Sequence, residues 1–390
     1  MLRFIFGRYL AYGFIFIEIL VVPELLTPNK YANFEYLKSL VALSSLVLLG
    51  SHTGYIYYNY TKRRNYFDSL LKVAFFQLLI VGLVVGLVQN SLILFIPIVS
   101  MGLSAIFEKR LQISRQFYLA ILFKPLCSVM FLILILSFDK IYHEFTDQIA
   151  IVLGYFLALI SWELISRING ESMGLLKIAN AFSINRLDFY KFFRMVKTGI
   201  VENMATIVLG LILFTDRYVL KNYFVADLPA YSLAFNFAQF VFIGINSLTY
   251  ILAIDLSEKF SQLTRSEIKG VAKKSIGLYM LLLIAVMLLA MGYDAIFGAY
   301  ESFLIYTFIL SLFVGFFYAL NTTSVIVLLA NKQHLATSLC ITVFLLNIIV
   351  SYIFLLAELS PILFIVKTVV LLAICGLSIF IISLKVIKKA

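Results

Sequence analysis

Apolar runs of about twenty residues recur along the whole chain, separated by short polar stretches. At helical rise each run matches the roughly 30 Å hydrocarbon core of a bilayer. The pattern predicts twelve membrane-spanning helices, near residues 6–26, 36–57, 67–88, 91–107, 117–138, 147–166, 197–219, 229–254, 275–293, 302–330, 334–357 and 361–384. The fourth is short and carries Pro97, which a membrane helix tolerates where neighbours satisfy the freed carbonyl. The longest connection, roughly 167–196, divides the runs six and six. Within it "FSINRLDFYKFFRMVK" sets apolar and basic positions at helical spacing, the pattern of an amphipathic helix on a membrane surface. The expected fold class is an all-α polytopic membrane protein. Its expected parts are an N-lobe over 1–180, an interfacial linker helix over 181–196 and a C-lobe over 197–390.

Composition fits this reading. Of 390 residues, 63% are hydrophobic and only 13% charged, which excludes an ordinary soluble domain. No small-x-small cleavage pattern ends the first run, so that helix is expected to be retained. Charge supplies the orientation. With the N-terminus in the cytoplasm, Lys30, Lys38, Lys140, Arg217 and Lys221 fall outside and Lys124 and Lys367 fall within spans, which leaves 24 of the 31 basic residues inside. That bias follows the positive-inside rule and predicts that both termini are cytoplasmic. The net charge of +11 is thus a topology signal rather than a nucleic-acid signal. Cys127, Cys340 and Cys375 lie far apart inside apolar runs, and predict neither a disulfide framework nor a metal site.

The two halves echo one another. Each opens with a span and a polar loop, then a Tyr near the start of the next span and a Gly lower down: Tyr36 and Gly50 in the first half, Tyr231 and Gly244 in the second. Two six-helix halves in one orientation are a common transporter plan, with substrate held near the midplane.

The segment "TDRYVLKNYFVADLPAYSLAFNFAQF", 215–240, resembles the seventh-to-eighth helix passage of the polysaccharide-transport (Wzx-type) flippases, through Asp216, Arg217, Tyr231, Ser232 and Ala234. "LLANKQHLATSLCITVFLLNIIVSYIFLL", 328–356, resembles their tenth-to-eleventh helix turn, with Asn347 where an Asn recurs. "VVPELLTPNKYANFEYLKSLVALSSLVLLG", 21–50, resembles the first-to-second passage, departing at Glu24 and Ala32. The family belongs to a superfamily with the MATE multidrug exporters and the lipid II flippases. The resemblance implies a MATE-like two-lobed transporter in a bacterial cytoplasmic membrane. It would move an undecaprenyl-pyrophosphate-linked oligosaccharide, such as an O-antigen or capsule repeat unit, with no cofactor and as a monomer. Its implied partners are that glycolipid, membrane lipids, H+ or Na+, and other glycan-assembly membrane proteins.

Charges within the apolar runs carry the candidate chemistry, because they are costly in a bilayer and usually face an interior cavity. Lys124 and Lys367 are candidates for the pyrophosphate, which needs fixed cations on its route; each is alternatively a helix-pairing or snorkelling lysine. Glu18 and Glu202, in the first helix of each half, are candidate ion-coupling acids, with a hydroxyl or backbone partner as the alternative. Asp216 and Arg217 are expected at the outer end of the seventh span, as an interfacial end-cap or an outward gate, with Asp216 also a candidate for ion coupling and Arg217 for substrate binding. Asn236, Gln239, Asn246 and Asn321 could meet sugar hydroxyls or join helices. Trp162 reads as an interfacial aromatic, and His52 as a packing donor.

Three rivals follow. A MATE-type cation-coupled multidrug exporter favours an acidic cavity, against which the two lysines weigh. A major-facilitator transporter lacks its signature loop here, where "NYTKRRNYF" stands. A membrane-embedded glycan polymerase or ligase needs a large outer loop and a nucleophile or metal constellation, neither of which the sequence supplies, so no enzyme is expected.

Overall fold

The computed structural model describes residues 2–138, 146–171, 183–258, 263–298, 300–321, 323–330 and 332–387, with some helical side chains, those of Glu202, Asn246 and Asn321 among them, outside the description. Among the described residues all regular structure is helical. The chain divides into two compact units, Met1–Met204 and Ala205–Ala390.

Unit 1 contains α1 (Leu2–Leu25), α2 (Pro28–Ala42), α3 (Ser44–Val47), α4 (Ser51–Lys62), α5 (Phe67–Val88), α6 (Phe95–Ile113), α7 (Phe117–Ala120), α8 (Phe123–Phe138) and α9 (Thr146–Ile168). It closes with the first half of α10 (Arg186–Tyr223). Pro28 opens α2 at a position whose N–H would be unsatisfied in any case. The second predicted span is broken. Leu49 and Gly50 take positive φ, and the axes on either side differ by 45°. Pro97 falls in the first turn of α6, where its missing N–H removes no helical bond, so the weakest predicted span forms a full helix.

The predicted linker is not a separate element. With no proline between Arg186 and Tyr223, α10 runs unbroken for 38 residues, joining the amphipathic stretch to the seventh predicted span. Its start is locked by reciprocal bonds, the Asp188 N–H to Asn185 Oδ1 and the Asn185 N–H to Asp188 Oδ2. Burial pushes the Asp188 carboxyl up, but the Ser69 hydroxyl, the Asn185 N–H and the Lys72 ammonium outweigh it and hold it below the usual carboxylate range. Phe192, Met195 and Val196 of this segment are buried, while Leu187, Tyr190 and Phe193 face outward. Gly54 of α4 and Gly199 of α10 lie backbone to backbone with the facing turn, so that a methyl at either would overlap the Met195 or Gly50 carbonyl. Small residues at such crossings are how membrane helices gain close packing.

Unit 2 contains the rest of α10, then α11 (Leu228–Glu258), α12 (Arg265–Phe297), α13 (Phe303–Asn321), α14 (Ser324–Leu329), α15 (Gln333–Leu356) and α16 (Pro361–Val386). A capping box between Thr264 and Glu267 starts α12. The central α13 packs against α11, α12 and α16, and α15 packs on α16. On α12, Leu281, Ile284 and Leu288 are 62–65% exposed. An apolar face of that extent has lipid as its solvent.

Six helices among the described residues are long and apolar enough to cross a membrane, and seven if the bent pair counts as one. The sequence pattern predicts twelve. The difference lies partly in short helices: α8 has 16 residues, a rise of about 24 Å against about 30 Å of hydrocarbon. Several apolar helices, and a multi-pass membrane protein, are what the structure gives.

Candidate functional site

Each unit buries one cluster of charged and polar side chains. In unit 1, Glu18 of α1 is 3% exposed. The short turn at Thr27–Pro28 returns the chain so that Lys38 of α2 meets it, Nζ to Oε1 2.5 Å. The same ammonium lies 2.9 Å from Glu35 Oε1, one helical turn earlier. The Ser128 hydroxyl of α8 donates to the second oxygen of Glu18. Asn33 of α2 donates to Asp147 of α9 at 2.5 Å, fixing α2 in place. Two carboxylates thus share one lysine, whose side chain remains 21% exposed.

In unit 2 the cluster is a closed ring across three helices. Thr368 of α16 donates to Asp216 Oδ1 of α10 at 2.7 Å and lies 3.0 Å from the Asn347 side chain of α15. One hydroxyl proton cannot serve both, so the Asn347 amide donates to Thr368 Oγ1, its O and N being interchangeable at this geometry. The Ser351 hydroxyl donates to the Asn347 carbonyl at 2.6 Å and accepts from Lys367 Nζ at 2.5 Å. Lys367 Nζ lies 3.7 Å from Asp216 Oδ1 and closes the ring. Every member is 7% exposed or less. Asp216 Oδ2 has no hydrogen-bond partner among the described residues, nor has the nearby Tyr231 hydroxyl of α11.

The predicted end-cap position of Asp216 and Arg217 is corrected. They are 1% and 6% exposed, because α16, α15 and α11 cover this stretch of α10. Arg217 lies over the Phe235 ring of α11, 4.5 Å from its centroid. Asn236 is buried, and Gln239 donates to it at 3.2 Å along the same helix. Of the predicted site residues the structure therefore joins Asp216 to Lys367 and Asn236 to Gln239. Glu18 belongs to the separate unit 1 cluster. Lys124, in the first turn of α8, is exposed and joins neither. Glu202 and Asn321 lie outside the described side chains.

Trp162 is also corrected. It is fully buried and donates to the Leu119 carbonyl at 2.6 Å, a core anchor rather than an interface ring. Cys340 and Cys375, distant in sequence, approach to 4.0 Å as thiols where α15 meets α16. Sequence reasoning missed Glu35, Lys38 and Ser128 in one cluster, and Ser351 and Thr368 in the other. Only Glu35 and Lys38 carried a signal, an i,i+3 acid–base pair at the edge of an apolar run. Among the described residues no group of three or more His, Cys, Asp or Glu side chains could hold a metal ion.

The arrangement holds charge inside an apolar body, the Glu18 and Asp216 carboxylates each meeting a hydroxyl and an ammonium. No family profile and no curated protein matches the sequence. The structure, by contrast, has clear likenesses. It superposes on the lipid II flippase MurJ in an inward closed conformation with a TM-score of 0.72 at 15% identity, over 99% of this chain and 88% of that one. A MATE transporter variant follows at 0.61 and 12%, over 98% and 94%. A MOP superfamily transporter from Pyrococcus furiosus follows at 0.56 and 13%, over 100% and 95%. The chain has the MOP fold, shared by MurJ and the MATE transporters.

Proposed function

We propose that the protein is a flippase that carries a lipid-linked, pyrophosphate-bearing oligosaccharide across a bacterial cytoplasmic membrane by alternating access. The reading includes twelve crossings, with both termini in the cytoplasm. The observation that carries it is the higher likeness to the lipid II flippase MurJ than to a MATE transporter, over 99% of the chain. The resemblance of 215–240 and 328–356 to the Wzx-type flippases points to the same class of cargo. Lys124 supports it chemically. Lys124 is exposed, and because an ammonium is costly against lipid tails we place it toward a water-filled cavity, where a pyrophosphate can reach it. Glu18, held by Lys38 and Ser128, supplies an acid for H+ or Na+ coupling in unit 1.

The second reading is a cation-coupled multidrug exporter. It is favoured by the two carboxylates gathered on one lysine in unit 1. One assay separates the two readings. Reconstituted protein is offered a fluorescent undecaprenyl-pyrophosphate oligosaccharide and, separately, a cationic dye under H+ and Na+ gradients. Flipping of the glycolipid without dye export is the expected result. Dye export with a stationary glycolipid would overturn the flippase reading.

A further inference from the structure

The ring in unit 2 is made of hard oxygens. Asp216 Oδ1, Thr368 Oγ1, Ser351 Oγ and the Asn347 main-chain carbonyl are linked across three helices by hydrogen bonds, all on enclosed residues. Such a set, with one carboxylate among neutral oxygens, is what a hard metal cation selects. The single carboxylate fixes the charge of the match at one, since a divalent ion here would keep an uncompensated charge out of water. What completes the ring is instead the Lys367 ammonium, 2.5 Å from Ser351 Oγ and 3.7 Å from Asp216 Oδ1. Its stem enters from α16, the helix that also carries Thr368.

We infer that Lys367 is a tethered cation in a monovalent-cation site. The protein fills the site with its own side chain, takes no free metal ion there, and would become a Na+ site if the amine were removed. Arg217 does not fill this role, because its guanidinium lies over Phe235. The free atom Asp216 Oδ2 is a further oxygen, which the compact ammonium leaves unused and a smaller metal ion could draw in. The inference stands on the ring geometry and does not depend on what the protein transports.

The three buried thiols provide the readout. In a Cys127→Ala background, unfolding of unit 2 is followed by a thiol-reactive dye on Cys340 and Cys375, which sit on α15 and α16, the helices of the ring. Detergent-purified full-length protein is melted in NaCl and in choline chloride of equal strength. With Lys367 intact the two midpoints should coincide to within about 1 °C. With Lys367→Ala, Na+ should raise the midpoint over choline by on the order of 3–5 °C, the shift expected when salt exceeds Kd about tenfold. The neutral, space-filling Lys367→Met should melt alike in both salts.

A Na+ shift with Lys367 intact would overturn the inference, as would a folded Lys367→Ala protein that ignores Na+. If Lys367→Ala does not fold even in NaCl while the neutral pair Asp216→Asn, Lys367→Met does, the inference also fails, because Na+ should have replaced the amine.

Discussion

Each unit buries a carboxylate on its opening long helix, Glu18 on α1 and Asp216 on α10, and each is held by a hydroxyl from a later helix, Ser128 or Thr368. They differ in how the cation arrives. Lys38 sits on the neighbouring helix, keeps a fifth of its side chain exposed and is shared with Glu35. Lys367 comes from the far end of the unit, is enclosed, and lies near one carboxylate only among the described residues. In unit 1 the lysine can lose one carboxylate and retain another, whereas in unit 2 Lys367 without Asp216 would keep the neutral Ser351 hydroxyl alone. The first is therefore suited to exchange and the second to fixing helices in register.

The largest effect should come from breaking the unit 2 ring. Asp216→Ala leaves an enclosed ammonium without its counter-charge, at a cost of about 3–5 kcal/mol. Unit 2 should then melt roughly 10 °C lower, read by the dye reaction of Cys340 and Cys375. A loss under about 2 °C would mean that the ring opens to water in solution and that the contrast with unit 1 is unfounded.

Next in size is the repair of that damage. The double change Asp216→Asn, Lys367→Met removes both charges while keeping volume, and should recover most of the loss. The coupling measured by the double-mutant cycle should exceed about 1.5 kcal/mol. Additive losses would show that the two side chains stabilise the unit separately.

In unit 1 the matching change, Glu18→Gln, should cost only about 1–2 kcal/mol, because Lys38 keeps Glu35 and Ser128 keeps an oxygen acceptor. Trp162, packed on Phe123 in the same unit, reports that unfolding by fluorescence. If Glu18→Gln proves as damaging as Asp216→Ala, the sharing of Lys38 gives no protection.

The sequence made the individual charges legible, since Glu18, Asp216 and Lys367 stand out in apolar runs, but not their partners. The pairing of Lys38 with Glu18 rests on a turn at Thr27–Pro28 that leaves no mark in hydropathy. Ser128, Ser351 and Thr368 are invisible for a related reason: a hydroxyl scarcely alters the polarity of a run, yet decides where a buried carboxylate can rest. Asp216 and Lys367 lie some 150 residues apart, and only the packing of α10, α15 and α16 joins them. The all-helical character was legible in the apolar runs, while six helices, or seven with the bent pair, are long and apolar enough among the described residues to cross a membrane. Trp162 misled because the belt preference of tryptophan is statistical, while its indole N–H here found a carbonyl within the core.

The smallest structural effect is expected at Lys124, which belongs to neither cluster. Lys124→Ala should shift the melting of either unit by less than about 1 °C, as for an exposed side chain that belongs to neither cluster. Its consequence should appear in transport. If the ammonium meets the pyrophosphate, removing one charge-assisted hydrogen bond, of about 1.5–3 kcal/mol, should slow glycolipid flipping at least about tenfold. Lys124→Arg keeps the charge and should retain most of the rate. Unchanged flipping with Lys124→Ala would move the anion-binding role away from α8. The comparison would then turn on the two buried clusters alone, with Arg217 of unit 2 as the next cation to change.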